Sequence, residues 1–312
     1  MQAQKFDENP LRVQEAPAGS DATPLVLIHD GGGTTFGYFS LGSLGRDAWA
    51  IHNPRYYSTE DFSGGMDEMA RRYVDLMLEA GIQGRILLGG WSLGGYLSLA
   101  IARLLADEPA ASITIEGLLL IDSPYHVPHT DLPEQQAEPN FDNLPPLVQK
   151  ALDDCDELLD TWTLPSWSNE NRTATLTVGD KRHVLHGTEA MHRPLEGEWT
   201  PLESSADSTD KIGTAHGPAP PPGVLLRCTN RVPPKDASDT APVRVDNYRD
   251  DVLLGWRGRY PAFIRAVVDV DADHYGIFGM AKIKQVTEKV KLGLEALEGI
   301  EDGPERRDSH EA

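Results

Sequence analysis

At 312 residues, with a formal net charge of −21 and 39% apolar residues, the chain can build one large core or two smaller ones, and its charge excludes holding DNA, RNA or an anionic membrane through a basic surface. No apolar stretch reaches the length of a membrane-spanning helix, and the polar opening MQAQKFDENPLRVQEAPAGSDATP lacks the basic and apolar regions of a secretion signal, so a cytoplasmic protein is expected. The two cysteines, Cys155 and Cys228, make neither a disulfide framework nor a paired zinc motif and read as free thiols.

In chain order, residues 1–22 read as a flexible arm. From Pro24, PLVLIH is a continuously apolar run of β-type residues, as in a strand buried on both faces, and it runs into HDGGGTTFGY. WAIHNP follows as a second strand. SGGMDEMARRYVDLMLEAG then spaces Met66, Met69, Tyr73, Leu76 and Met77 at helical steps, with Gly81 as its stop. RILLGG, SLGGYLSLAIARLLADE and ITIEGLLLIDSP continue as strand, helix and strand. Such alternation implies a mostly parallel central sheet flanked by helices.

Residues 125–222 are less regular. They hold one helix around LPPLVQKALDDCDELLDTW and a stretch rich in Pro, Ser, Thr, Gly and Asp between 196 and 222, expected to be mobile. Strand GVLLRCT, the segment DNYRDDVLLGWRGRY, strand FIRAVVDV and helix MAKIKQVTEKVKLGLEAL follow. The core is thus expected at 23–124 and 223–298, with 125–222 inserted and 299–312 as a disordered tail.

Between RILLG and the next helix stands Gly90-Trp91-Ser92-Leu93-Gly94. A G-x-S-x-G pentapeptide in a strand-to-helix turn lifts a strained serine above the sheet edge, and its glycines avoid steric conflict. This is the nucleophile turn of the α/β-hydrolase fold. A serine hydroxyl needs a base, and in this fold the chain order is serine, acid, histidine. Of ten histidines, His29 and His52 precede Ser92. His126, His129, His183, His186, His192 and His216 lie in the irregular middle. Only His274 follows a late strand, in the turn DADHYGIFG before the last helix, which makes it the base. Two acids fit the order: Asp122, ending EGLLLID, and Asp236, in the loop after GVLLRCT.

An oxyanion hole needs two aimed N–H groups, expected from Leu93 and from Gly32 in the glycine loop Asp30-Gly31-Gly32-Gly33. That loop lacks nucleotide-binding spacing. His183, His186 and His192 lack the pattern of a metal site, so neither metal nor cofactor is expected.

With PLVLIHDGGG, GGWSLGG and LLLIDSP together, the chain resembles the thioesterases that release products from polyketide synthases and nonribosomal peptide synthetases, especially those of fungal non-reducing polyketide synthases. The likeness covers about residues 23–127 and 223–280. It implies an acid at the end of the strand after the nucleophile helix, Asp122 rather than Asp236, and a base at His274, where Tyr275 stands for the family's usual aromatic. It further implies a lid within 125–222, and cleavage of an acyl thioester by hydrolysis or cyclisation. The partner would be an acyl carrier protein or synthase, met in trans since no synthase segment is attached. The alternatives are an ester hydrolase or acyltransferase of the same fold, or an idle scaffold. Residues 227–265 hold eight Lys or Arg against five Asp, and an acidic carrier would dock there if anywhere, although an ordinary mixed-charge surface gives the same count.

Overall fold

The computed structural model describes residues 8–58, 60–108, 111–132, 135–141, 144–168, 173–202, 218–257, 259–260 and 262–302. Its centre is the expected run of buried strands. β1 (Leu11–Gln14), β2 (Leu25–Ile28), β3 (Ala48–Ile51), β4 (Gly84–Trp91) and β5 (Ile113–Ile121) come first, followed by β6 (Thr173–Val178), β7 (Lys181–His186), β8 (Ala190–Arg193) and β9 (Thr200–Leu202). β10 (Gly223–Cys228), β11 (Ile264–Val270) and β12 (Ile300–Asp302) complete the set. The helices are α1 (Phe36–Phe39), α2 (Gly65–Glu79), α3 (Leu93–Ala106), α4 (Pro146–Thr161) and α5 (Ile283–Glu298).

Among the described residues, nine strands form one sheet in the order β1-β3-β2-β4-β5-β10-β11-β8-β9. All neighbours from β3 to β8 are parallel, and only the edge pairs β1·β3 and β8·β9 are antiparallel. Parallel strands bury both faces. On one face Met66, Tyr73 and Met77 of α2 and Leu97 and Ile101 of α3 pack against Val26, Ile28 and Leu88. On the other, Val286, Val290 and Leu294 of α5 pack against Leu119, Val224 and Leu226. No helix among the described residues is long and apolar enough to cross a membrane.

Three expected irregular segments carry strands. Within the expected arm, β1 is held at the sheet edge by Arg12 on Asp47 (2.5 Å) and by the Gln14 amide bonded to Gly42 O (2.9 Å) and Leu44 N (2.7 Å). Polar side chains fix it, so no apolar run marks it. Within the expected insertion, β6 and β7 form a hairpin to which β12 adds from the expected tail, while β8 and β9 extend the main sheet. The remainders of these expectations, at residues 1–7, 203–217 and 303–312, lie outside the described residues.

Five of the eight basic residues of 227–265 are paired with carboxylates. Arg227 pairs with Asp269, Arg231 with Asp250, Lys235 with Glu138 and Arg244 with Asp156. Arg249 pairs with Asp122 and Asp246. Most of these carboxylates come from outside the segment, where a local count cannot see them.

Candidate active site

Ser92 occupies the turn between β4 and α3 with φ 55° and ψ −115°, a conformation costly for an L residue and sustained only by its surroundings. Those surroundings are backbone. A Cβ on Gly90 would lie 2.6 Å from Ile28 O, and one on Gly94 would run into that same oxygen and stand 2.8 Å from His29 O. The motif's glycines are therefore dictated by β2 passing beneath the turn. The Ser92 amide donates to Ile121 O (3.0 Å), and Ser123 Oγ donates to Ser92 O (2.7 Å). The Tyr38 hydroxyl donates to Ile28 O (2.6 Å) and accepts from the Trp91 amide (2.9 Å), which ties β2 to β4.

Asp122 directly follows β5, also at positive φ (46°), with none of its surface exposed. His274 lies in the turn after β11 and is equally enclosed. Its Nδ1 is 2.8 Å from Asp122 Oδ2 and its Nε2 is 3.0 Å from Ser92 Oγ. Three residues from three strand ends, expected from chain order, thus meet in one hydrogen-bonded line. Burial alone would raise the Asp122 carboxyl, but the charge of Arg249 and hydrogen bonds from His274 and Arg249 outweigh it and hold the group well below the usual carboxylate range.

Asp236 is not part of this hydrogen-bonded line. It is exposed and its Oδ1 accepts from the Ser238 amide (2.9 Å) and hydroxyl (2.7 Å) in a surface loop. His29 is a buried neutral side chain bonded to Tyr73 OH and Asp30 O, both at 2.5 Å. Burial lowers it to about 4. His192 pairs with Asp269 (3.0 Å), and among the described residues no group of three or more His, Cys, Asp or Glu could hold a metal.

Ser92 and His274 open into a cleft of about 630 Å³. α4 closes one side through Leu152, Cys155 and Leu159, and it presses on the glycine loop so closely that a Cβ on Gly31 would stand 3.1 Å from Cys155 Sγ. The cleft wall contains Asp30 and Gly31 but not Gly32. Gly32 instead lies against the Asp30 carboxylate, 3.2 Å from Oδ2 to its would-be Cβ. Of the two glycines, Gly31 is the one that lines the cleft, while the Gly32 amide bonds to the Asp30 carboxylate. Leu93 begins α3, where a first-turn amide has no acceptor within its own helix. Burial raises Asp30 to about 6, opposed by the Gly32 amide and by His274.

Neither Asp30 nor Arg249 belongs to the set expected from sequence. Arg249 donates to Asp122 from Nη1 (2.6 Å) and Nη2 (2.9 Å) across 127 positions of chain, a separation that no local motif reports.

Residues 23–290 match the family model of the thioesterase domain. The probable thioesterase lcsE of Purpureocillium lilacinum is 40% identical over 309 residues, covering 94% of this chain and 98% of the relative. The probable thioesterase KK1J of Curvularia clavata is also 40% identical, covering 94% and 96%. Among solved structures, the NocB thioesterase domain of the nocardicin cluster superposes with a TM-score of 0.53 at 19% identity, over 88% of this chain and 95% of that one. That likeness shows the shared α/β-hydrolase fold.

Proposed function

The chain belongs to the thioesterase domain family, and from that premise we propose that it releases an acyl chain carried as a thioester, through an acyl-enzyme on Ser92. The observation that carries this reading is the continuous line Ser92 Oγ, His274, Asp122, at 3.0 and 2.8 Å, at the floor of an open cleft.

In the proposed reaction, His274 Nε2 takes the Ser92 proton as Oγ attacks the thioester carbonyl, and Asp122 orients and stabilises the resulting imidazolium. The amides of Leu93 and Gly31 receive the oxyanion. Collapse breaks the C–S bond, and His274 returns its proton to the departing thiolate. The acyl-enzyme is then captured by water or by a nucleophile of the chain itself, giving an acid or a ring. Water exclusion by α4 and the cleft walls would decide between them. The carrier protein as donor, and a place in secondary-metabolite biosynthesis, are part of this proposal and rest on the family and on the relatives' names.

Intact mass spectrometry after brief mixing with matched acyl thioesters and oxygen esters tests it. The expected result is an acyl adduct on Ser92, formed faster from the thioester and absent from Ser92→Ala, followed by released product whose mass tells hydrolysis from cyclisation. Adducts from oxygen esters alone would replace the reading with an esterase, and no adduct from either would overturn the nucleophile.

A further inference from the structure

Arg249 is 2% exposed, yet every N–H of its guanidinium is engaged. Nε donates to Asp246 Oδ1 (2.8 Å), and Nη1 to Asp122 Oδ1 (2.6 Å) and Cys228 O (2.7 Å). Nη2 donates to Asp122 Oδ2 (2.9 Å) and Val245 O (3.4 Å). Asp246 is equally buried, and its Oδ2 accepts from the Val232 amide (2.6 Å). Asp122 Oδ1 also accepts from the Cys228 amide (2.8 Å). A buried ion pair is weak support for stability, since apolar residues of similar volume often serve as well. Here the buried ions touch the group that orients the base.

We infer that Arg249 and Asp246 are positioning residues for the reaction, setting the net charge around His274. Two carboxylates and one guanidinium leave the resting cluster at −1, and the cluster becomes neutral when His274 holds the Ser92 proton. Charges interact strongly where water is excluded, so this balance favours the stage of reaction at which the imidazolium exists. Arg249 also fixes the rotation of the Asp122 carboxylate by a two-point contact that lysine cannot reproduce. The other groups facing the array are the Cys228 thiol bonded to Asp122, Asp30 on the cleft side of His274, Tyr275 and Trp91 against its ring, Tyr96 near Asp122, and Asp273 near Cys228. None of them changes in the variants below.

The inference rests on the proposed Ser92 chemistry and makes a two-sided prediction. Removing the cation by Arg249→Met leaves two buried carboxylates, so the acid side of the pH–rate profile moves to higher pH, by about one unit. At neutral pH kcat falls about 100-fold, within the roughly 10⁴ lost when a triad's orienting carboxylate is disabled, while KM changes little. Removing the outer anion by Asp246→Asn keeps the Arg249–Asp122 contacts but leaves the imidazolium-bearing cluster at +1, so the acid side moves to lower pH and kcat falls about 10-fold. Arg249→Lys, with fewer donors, falls between wild type and Arg249→Met.

The measurement is kcat and KM of the full chain against pH, with a soluble acyl thioester and detection of the released thiol. Opposite shifts in the two variants support the inference. Unmoved profiles, or shifts in one direction only, overturn it and reduce the cluster to a structural part. Should Arg249→Met not fold, the downward shift in Asp246→Asn and recovery of Arg249→Ala activity by added guanidinium decide the matter, and failure of both overturns it. If wild type forms no adduct on Ser92, the proposed function itself falls; if wild type acylates normally while the profiles stay put, only this inference does.

Discussion

Gly94→Ala tests whether the nucleophile turn is set by backbone packing. Its new Cβ would overlap Ile28 O and stand 2.8 Å from His29 O, and neither oxygen belongs to a side chain that can rotate away. Ile28 O already accepts from Tyr38 OH, while β2 is held between β3 and β4. Ordinary carbon-to-oxygen contact then requires the turn to lift by roughly 0.5–1 Å, against an interior packed too densely to absorb it. Overpacking of this kind costs about 2 kcal/mol, a melting shift of about 3–5 °C in a chain of this size. The chemical effect is larger. Ser92 Oγ moves relative to His274 Nε2, now 3.0 Å away, and a misplacement near 1 Å is worth about 100-fold in rate. The assay pairs thermal unfolding with the rate of Ser92 labelling by a fluorophosphonate. A variant labelled within twofold of wild type, with an unchanged melting temperature, would refute the account of why Gly94 is glycine.

Two other predictions separate roles that proximity in sequence blurs. Asp122→Asn places an amide where four N–H donors converge, from Cys228, Arg249 twice and His274, so kcat falls about 10⁴-fold, whereas Asp236→Asn, changed in an exposed loop, leaves steady-state turnover as it was; comparable loss in both would reject Asp122 as the acid. His29 is held at about 4 by burial, partly opposed by Asp30 O and reinforced by His52, against about 6.5 in the unfolded chain. The unfolded chain therefore binds the extra proton, and stability present above pH 6.5 is lost as pH falls toward 4, by up to about 3 kcal/mol. Urea unfolding across that range should show a shallower slope for His29→Gln; His129, lowered to about 4 by burial and then Arg244, retains part of it, and an identical slope in the variant would contradict the assignment.

The parallel core was legible because its strands are buried on both faces and so read as unbroken apolar runs. PLVLI, RILLGG, ITIEGLLLI, GVLL and FIRAVV correspond to β2, β4, β5, β10 and β11 within a residue or two. The strands that escaped differ physically. β8, AMHR, is short, with only Ala190 and Met191 apolar, and it gains its place by pairing with β11 through Met191, His192 and Arg193. β1 depends on side-chain bonds from Arg12 and Gln14. The β6–β7 hairpin carried a local signal after all: Ala174, Leu176 and Val178 alternate inward, and the turn holds Gly179 at φ 59°. It was hidden by the irregular composition around it, since its sheet stands apart from the main one.

The site shows the same division. Ser92 and His274 follow from a motif and from chain order, both properties of how this fold winds. The expected acid stayed open between Asp122 and Asp236 on residues alone, because chain order fits both and they differ in burial and in contact with His274, neither of which the chain order reports. That Gly31 lines the cleft while Gly32 packs on the Asp30 carboxylate is a matter of side-chain placement, which spacing cannot express.

Strain and support at this site are linked through the sheet. Ser92 and Asp122 both sit at positive φ just past the ends of adjacent parallel strands, and each such residue costs about 1–3 kcal/mol. They also brace one another: the Ser92 amide bonds to Ile121 O, Ser123 Oγ bonds to Ser92 O, and Trp256 Nε1 bonds to Ser123 O at 2.9 Å. A displacement at either strand end is therefore felt at the other. Ser92 and Asp122 form one unit fixed by β4 and β5, to which the turn after β11 delivers His274. α4 and the loop after β5, which line the cleft, can then vary around that unit, shaping what enters it without disturbing the 3.0 and 2.8 Å contacts on which the proposed chemistry depends.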